Sequence, residues 1–380
     1  MPQTARLFVH FVLSLLPLAS LAAPPPVPAP PTFDARAWIL MDAQSGRVIT
    51  SHDADTPHEP ASITKLMTGY AVFHAIKAGK LSLDSEVPIS ERAWRAEGSR
   101  TFLDVNTRVP VDVLLQGMIV QSGNDATIAL AEAVGGSEEA FAGLMNEYAR
   151  RLGMQNSNFE NSTGLPGPSH RASARDMALL GRAMVREFPE EYRRYSQREF
   201  TWNGITQQNR NGLLARNPAV DGMKTGHTES AGYCLVSSAQ RDGMRMIAVV
   251  LGTSSVRARE DASMALLNYG LNFFETRRVH PNGAELAVPR ILRARGGKAA
   301  VGITDELYVT VPRGRGDDVL VTVEVEPKLR APIAASQPVG RVNVTLDSEL
   351  VATQPLYPLA DVEEGGFFRR LWDTIVGWFT

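Results

Sequence analysis

Residues 60–70 read PASITKLMTGY, with Ser62 three positions ahead of Lys65 where a helical pattern opens. The apolar residues Ile63, Leu66, Met67, Tyr70 and Phe73 keep to one helical face, and the AGK at 78–80 ends the run. Residues three apart on a helix share a face, which brings Ser62 Oγ and Lys65 Nζ within hydrogen-bond reach. A lysine amine takes up a proton only when it is neutral, and that requires burial or a neighbouring positive charge. A helix N-terminus also leaves the Ser62 amide without an intrahelical partner, free to hold a developing oxyanion. By itself the pair is ambiguous, because a capping serine beside a solvated lysine has the same spelling.

Outward from this stretch, strand and helix signals alternate. Residues 35–55 hold two short apolar runs around a Ser-Gly turn, a hairpin. Helical patterns fill 111–136 and 137–154. Two alternating runs at 232–253, joined by Arg241, Asp242 and Gly243, form a second hairpin, and residues 263–278 read as a helix over that sheet. The segment from Phe33 to Arg278 is therefore a mixed α+β or α/β body. From 279 to 362 short β-type runs lie between glycines and prolines with no helical period, as expected of a separate small all-β domain. That domain shows no nucleophile paired with a base, and its RGD at 315–317 reads as a turn.

The two ends differ from the body. Residues 1–22 carry an arginine, an apolar run and small residues near Ala22, the pattern of a secretory signal; the rival reading, a transmembrane anchor, requires a longer run without Pro17. Residues 23–32 are a proline-rich extended spacer. In the tail, 365–380, Phe367, Phe368, Leu371, Trp372, Ile375, Val376 and Phe379 share one helical face. That pattern suits a helix lying in a membrane interface, the alternative being a helix docked on the protein's own core. The formal net charge of −2 argues against a nucleic-acid partner. Cys234, the single cysteine, excludes an intrachain disulfide and a thiolate metal cluster, and reads as a small buried apolar residue.

Two further motifs bear on Ser62. VQSGNDA places Ser122 and Asn124 at a polar bend between helical patterns, where a hydroxyl can relay a proton and an amide can bind a peptide carbonyl. VDGMKTGHT places Lys224, Thr225 and Gly226 in a strand before the second hairpin. Lys224 and Gly226 then point to one face, offering a cation and an open edge along which an extended peptide can lie.

Together, in this order, S-x-x-K, S-x-N and K-T-G resemble the signature set of penicillin-binding proteins and serine β-lactamases. With NRNGLL, AGY and SARDMALLGRA, the whole chain resembles a low-molecular-mass penicillin-binding protein of the D-alanyl-D-alanine carboxypeptidase type. The resemblance implies a catalytic domain (33–278) with a central antiparallel sheet and helices, a small β-sandwich-like domain (279–362) and an amphipathic C-terminal helix (365–380). It implies that Ser62 attacks the penultimate D-alanine of a peptidoglycan stem peptide and that Lys65 is its base. Ser122 and Lys224 would pass a proton to the leaving amine, and Asn124 would orient the acyl side. The amides of Ser62 and His227 would form the oxyanion hole. Lys224, Thr225 and Arg210, beside Gly226, would meet the terminal carboxylate. β-Lactams would acylate the same serine, and no metal or organic cofactor is implied. The expected location is the periplasmic face of the bacterial inner membrane, with a homodimer left open.

The chain departs from the family pattern at Thr253 to Ser255, where an arginine is expected, with Arg257 as the substitute, and in a shorter loop at 93–105. His170 reads as a structural residue near the site mouth, Asp176 as a residue that caps or orients a helix, and His227 as either catalytic or structural. The alternatives are a DD-endopeptidase using the same residues, a β-lactamase, for which no E-x-x-L-N element appears, and a penicillin-binding protein without turnover.

Overall fold

The computed structural model describes residues 26–366. The expected signal segment at 1–22 and the helix expected in the tail, beyond Gly366, lie outside the described residues.

A five-stranded antiparallel sheet organises the larger domain, in the order Val48–His52, Ala37–Asp42, Met244–Thr253, Gly232–Arg241 and Val220–Thr228. Strand alternation sends side chains to two cores. Ile39, Met41, Val236, Ile247 and Val249 face a large helical layer, while Trp38, Leu40, Leu235, Met246 and Val250 face the helix Val256–Phe273. With both faces covered, the central strand 244–253 is nearly continuous in apolar residues rather than alternating with polar ones. Each fully buried aliphatic side chain here is worth about 1.5–3 kcal/mol of transfer free energy. The hairpin joint is a two-residue turn in which Asp242 and Gly243 both have positive φ, 53° and 79°. That geometry matches the right-handed twist of the flanking strands and explains the Asp-Gly spelling.

The helix Lys65–Lys77 runs through the middle of the helical layer. Its expected single apolar face requires correction: every residue from Lys65 to Phe73 is buried. The sheet-facing helix Ala174–Glu187 and the helices Asn124–Gly135 and Glu138–Arg151 all contact it. A central helix is covered all round, so its short polar positions must find partners inside, as Thr68 does by donating to the Ser162 carbonyl at 2.7 Å.

The second domain is all β. Its five strands are ordered Glu285–Ala287, Val301–Gly302, Glu349–Pro358, Gly340–Leu346 and Leu320–Val325, beside a pair formed by Phe274–His280 and Leu307–Pro312. The strand Phe274–His280 follows directly on the helix Val256–Phe273, so the boundary drawn at 278/279 falls inside a strand. The domains meet at the first hairpin turn. Asp42 is buried and accepts from the Ser45 amide at 2.7 Å and from Thr276 Oγ1 at 2.7 Å, while Arg47 donates to the Thr310 carbonyl. A short 3-10 turn, Gly316–Asp318, begins within the RGD, and Cys234 is fully buried. Among the described residues no helix is long and apolar enough to cross a membrane.

Candidate active site

Ser62 lies in a 3-10 turn, Ala61–Thr64, that leads directly into the helix starting at Lys65. The three-residue spacing places Lys65 Nζ 3.0 Å from Ser62 Oγ. The ammonium also donates to Asn124 Oδ1 at 2.7 Å and to the Thr163 carbonyl at 2.7 Å. Three donors thus meet three acceptors. Asn124 opens the helix Asn124–Gly135, and its amide donates to the Glu97 carbonyl at 2.6 Å, fastening the short loop after Trp94 to the S-x-N motif.

Ser122 closes a π-type turn, Gly117–Gln121, in the left-handed region with φ 65° and ψ 32°. Its buried hydroxyl has no hydrogen-bond partner among the described residues. Lys224 sits on the edge strand Val220–Thr228, 2% exposed, with Nζ donating to the Thr225 carbonyl at 3.0 Å. Gly226 explains how this strand approaches the nucleophile. A Cβ there would stand 2.9 Å from the Pro60 carbonyl, 3.0 Å from the Ile63 nitrogen and 3.1 Å from the Ser62 nitrogen, all backbone atoms. Only glycine allows the strand to pass this close.

Between these elements is a cleft of about 410 Å³, whose wall includes Ser62, Ser122, Arg210, Thr225, Gly226 and Arg259. His227 and Tyr233 also line it, their rings stacked at 4.0 Å. His227 itself is exposed, so its side chain stands at the rim. Arg210 donates from Nε to the Gln121 carbonyl at 3.0 Å.

The electrostatics of the site are those of crowded, desolvated cations. Burial brings Lys65 down to about 7, helped by Arg210 and opposed by Asp125 and Glu138. Burial also holds Lys224 well below the ordinary lysine range, with Lys65, Arg210 and Arg259 adding to the effect. Neither lysine forms an ion pair with a carboxylate among the described residues. A lysine near 7 is about half neutral at neutral pH, which is what a general base needs.

Behind Lys65, the segment 156–172 is held against the central helix. The Glu138 carboxylate accepts from the amide and the hydroxyl of Ser162, at 3.0 and 2.6 Å. His170 is buried rather than at the mouth, which corrects the expected position. Its Nδ1 accepts from the Glu160 amide at 3.0 Å, so the neutral ring carries its proton on Nε2 and donates it to Thr64 Oγ1 at 2.9 Å. Burial first, then Arg171, pull His170 down to about 4, against a smaller opposing effect of Glu59. The capping role expected of Asp176 is also corrected. Ser173 is the cap of the helix Ala174–Glu187, and Asp176 Oδ2 instead accepts from the Asn156 amide and the Ser157 hydroxyl.

Arg257 does not replace the expected arginine: it points to solvent and pairs with Asp261 at 3.5 Å. The arginine that reaches the cleft is Arg259, two residues further on. Ser255 caps the helix Val256–Phe273, and Arg259 lies one turn up on the face toward the strand Val220–Thr228. The cap was the available signal; counting from Gly252 missed it. The Thr163 carbonyl was also missed, since a backbone acceptor leaves no mark in side-chain spelling.

A family model described as D-alanyl-D-alanine carboxypeptidase, peptidase S11, matches residues 25–255. The chain belongs to this family. A second model, the C-terminal domain of penicillin-binding protein 5, matches residues 274–364, so the carboxypeptidase family match and the β domain together span nearly all described residues. The D-alanyl-D-alanine carboxypeptidase DacC of Escherichia coli strain K12 is 44% identical over 354 residues, 91% of this chain and 88% of that protein. DacA of the same strain is 42% identical over 357 residues, 92% of this chain and 89% of its own. Among solved structures, penicillin-binding protein 5 from Haemophilus influenzae superposes with a TM-score of 0.83 at 41% identity, covering 88% of this chain and 99% of that one. That structure joins the sheet-and-helix catalytic core to the β domain, as this chain does.

Proposed function

We propose that the protein is a serine D-Ala-D-Ala carboxypeptidase that removes the terminal D-alanine of peptidoglycan stem peptides and is acylated by β-lactams at the same serine. The observation that carries this is the environment of Lys65. A charged Lys65 uses all three N–H bonds on Ser62, Asn124 and Thr163. Once neutral it has two, which stay on Asn124 Oδ1 and the Thr163 carbonyl, and its lone pair then faces Ser62 Oγ. The acceptors that position the amine therefore also aim it.

Ser62 Oγ attacks the penultimate D-alanine carbonyl as its proton passes to Lys65 Nζ. The Ser62 and His227 amides receive the oxyanion. The peptide C–N bond breaks as the proton taken up by Lys65 is relayed by way of Ser122 and Lys224 to the leaving amine, which leaves Lys65 neutral again. Water then attacks the ester, giving a proton to Lys65, which passes it to Ser62 Oγ as the ester C–O bond breaks. Asn124 holds the acyl side, and Lys224, Thr225 and Arg210, along the groove that Gly226 leaves open, supply attraction for the substrate carboxylate. The relatives named as carboxypeptidases and the penicillin-binding likeness support this assignment.

The same proposal covers the chain's organisation: signal at 1–22, spacer at 23–32, catalytic domain from 33, with its expected end at 278 moved back to 273 by the strand Phe274–His280, β domain from there to 362, and a peripheral membrane helix at 365–380 on the periplasmic face of the inner membrane. All residues assigned a role lie in one chain, so the reading does not require a homodimer. Removing 365–380 should shift the protein to the soluble fraction; retention in the membrane would sink the anchor. The function itself is tested by free D-alanine release from a peptide ending in Lys-D-Ala-D-Ala by residues 24–364, beside Ser62→Ala. Release that survives Ser62→Ala would exclude the mechanism.

A further inference from the structure

Glu138 opens the helix Glu138–Arg151, yet its side chain is only 7% exposed. The helix itself does not require that burial. Ser137 caps it by accepting from the Ala140 amide at 3.1 Å, and the next acid, Glu139, serves the same first turn from the surface. The Glu138 carboxylate instead divides its oxygens between the two segments that support Lys65. Oε1 accepts from the amide and the hydroxyl of Ser162, while the Ser162 carbonyl accepts from Thr68, so the residue ahead of Thr163 is pinned at three atoms. The Thr163 carbonyl then meets Lys65 Nζ. Oε2 accepts from Arg92 Nη2 at 2.7 Å, out of the short helix Glu91–Trp94. Just past that helix the Glu97 carbonyl holds the side-chain amide of Asn124, whose oxygen is the other acceptor of Lys65.

We propose that Glu138, together with Arg92, is a positioning residue that aims the Lys65 amine at Ser62 by fixing the two segments that carry the amine's acceptors. This rests on the carboxypeptidase reading, in which Lys65 is the base. Glu138 acts through Ser162 and Arg92 rather than on Ser62 itself. Neutral Lys65 has two N–H bonds and one lone pair, so the Thr163 carbonyl and Asn124 Oδ1 between them decide where the lone pair points. Displacing either support swings it off Ser62 Oγ, and small misplacements cost large factors in rate. The carboxylate has a second effect. With Asp125 it favours the proton on Lys65, against burial and Arg210, and the buried Lys224 stands nearby.

The test measures acylation by a fluorescent penicillin from pH 5 to 9 in the full-length protein, per folded molecule, for the wild type, Glu138→Ala, Glu138→Gln and Arg92→Met. Glu138→Ala should lower the high-pH rate about ten- to a hundredfold, and Arg92→Met, which frees one segment only, about three- to tenfold. Glu138→Gln keeps an oxygen for Ser162 and loses Arg92, so its high-pH rate should match that of Arg92→Met. Its rate should also begin to rise at lower pH than in the wild type, because the charge that favours the proton on Lys65 is gone. Unchanged rates with lowered stability would make Glu138 a structural strut and overturn the proposal, as would a loss in Glu138→Ala that Glu138→Gln does not restore. If Glu138→Ala does not fold, the rate and pH profile of Glu138→Gln beside Arg92→Met decide in the same direction. Should the wild type be acylated yet release no D-alanine, the carboxypeptidase reading fails on its own, and the acylation rates still decide Glu138.

Discussion

The cleft and the β domain treat positive charge in opposite ways. In the cleft Lys65, Lys224 and Arg259 are all but fully buried, and none is ion-paired with a carboxylate among the described residues. In the β domain several arginines lie toward the surface against acids: Arg278 with Glu306 at 2.9 Å, Arg315 with Asp347 at 2.8 Å, Arg341 with Glu324 at 2.7 Å. Exposed pairs of this kind are worth roughly 0–1 kcal/mol each. Buried cations without anions cost stability, and they are retained where lowered proton affinity and attraction for an anion do work on a substrate. Geometry alone would not separate the two regions so clearly, since both are built from antiparallel strands.

The contrast would break first at Lys65. Lys65→Met, which removes the base, and Lys65→Arg, which can never be neutral, should both lower the penicillin acylation rate by about a thousandfold or more. In the wild type, kcat/KM should climb as pH rises through about 7, where Lys65 loses its proton. A profile flat across that range would mean the amine is not the base.

Next in size is His170, whose burial beside Arg171 outweighs Glu59 and keeps the ring neutral. Its folded pKa of about 4 lies below the unfolded value of about 6.5. Its contribution to stability is therefore complete above 6.5 and is lost as pH falls toward 4, by on the order of 3 kcal/mol. Urea unfolding at pH 7 and pH 4.5 should show that loss in the wild type, and His170→Asn should lose less. Equal slopes would mean that the imidazole is not held neutral by the fold.

Gly226→Ala tests the approach of the edge strand to Ser62. With three backbone atoms 2.9–3.1 Å from the added carbon, the strand must retreat, and D-alanine release should fall about a hundredfold. Near-normal turnover would show that the groove has slack. The smallest effect belongs to the β domain: Arg341→Ala should change the unfolding free energy by less than about 0.5 kcal/mol and leave turnover unaltered. A larger loss would undo the contrast from its other side.

The sheet and the S-x-x-K, S-x-N and K-T-G positions were legible because their signals are local. The short apolar run at 37–42 marks a strand, Asp-Gly marks one turn, and Ser62 and Lys65 are neighbours by helical spacing. What escaped depends on contacts across the fold. The depth of His170 follows from the loop 156–172 lying against the central helix, which no local pattern encodes. The central helix is covered on every side, and a stripe of apolar residues cannot announce that small polar neighbours such as Thr68 are buried too. Arg259 was hidden because its position is set by the Ser255 cap, whereas distance along the strand pointed to Arg257. In the tail the amphipathic pattern remains a sequence reading.

Asp42 has a bearing on how such proteins are taken apart and recombined. Its carboxylate is fully buried, with one oxygen serving the first hairpin turn and the other receiving the hydroxyl of Thr276 from the second domain. A chimera that imports a foreign β domain without a hydroxyl at that place would strand a desolvated oxygen at the seam. The transplantable module is thus the β domain together with the turn that receives it, and its natural cutting points do not coincide with the link between the domains along the chain.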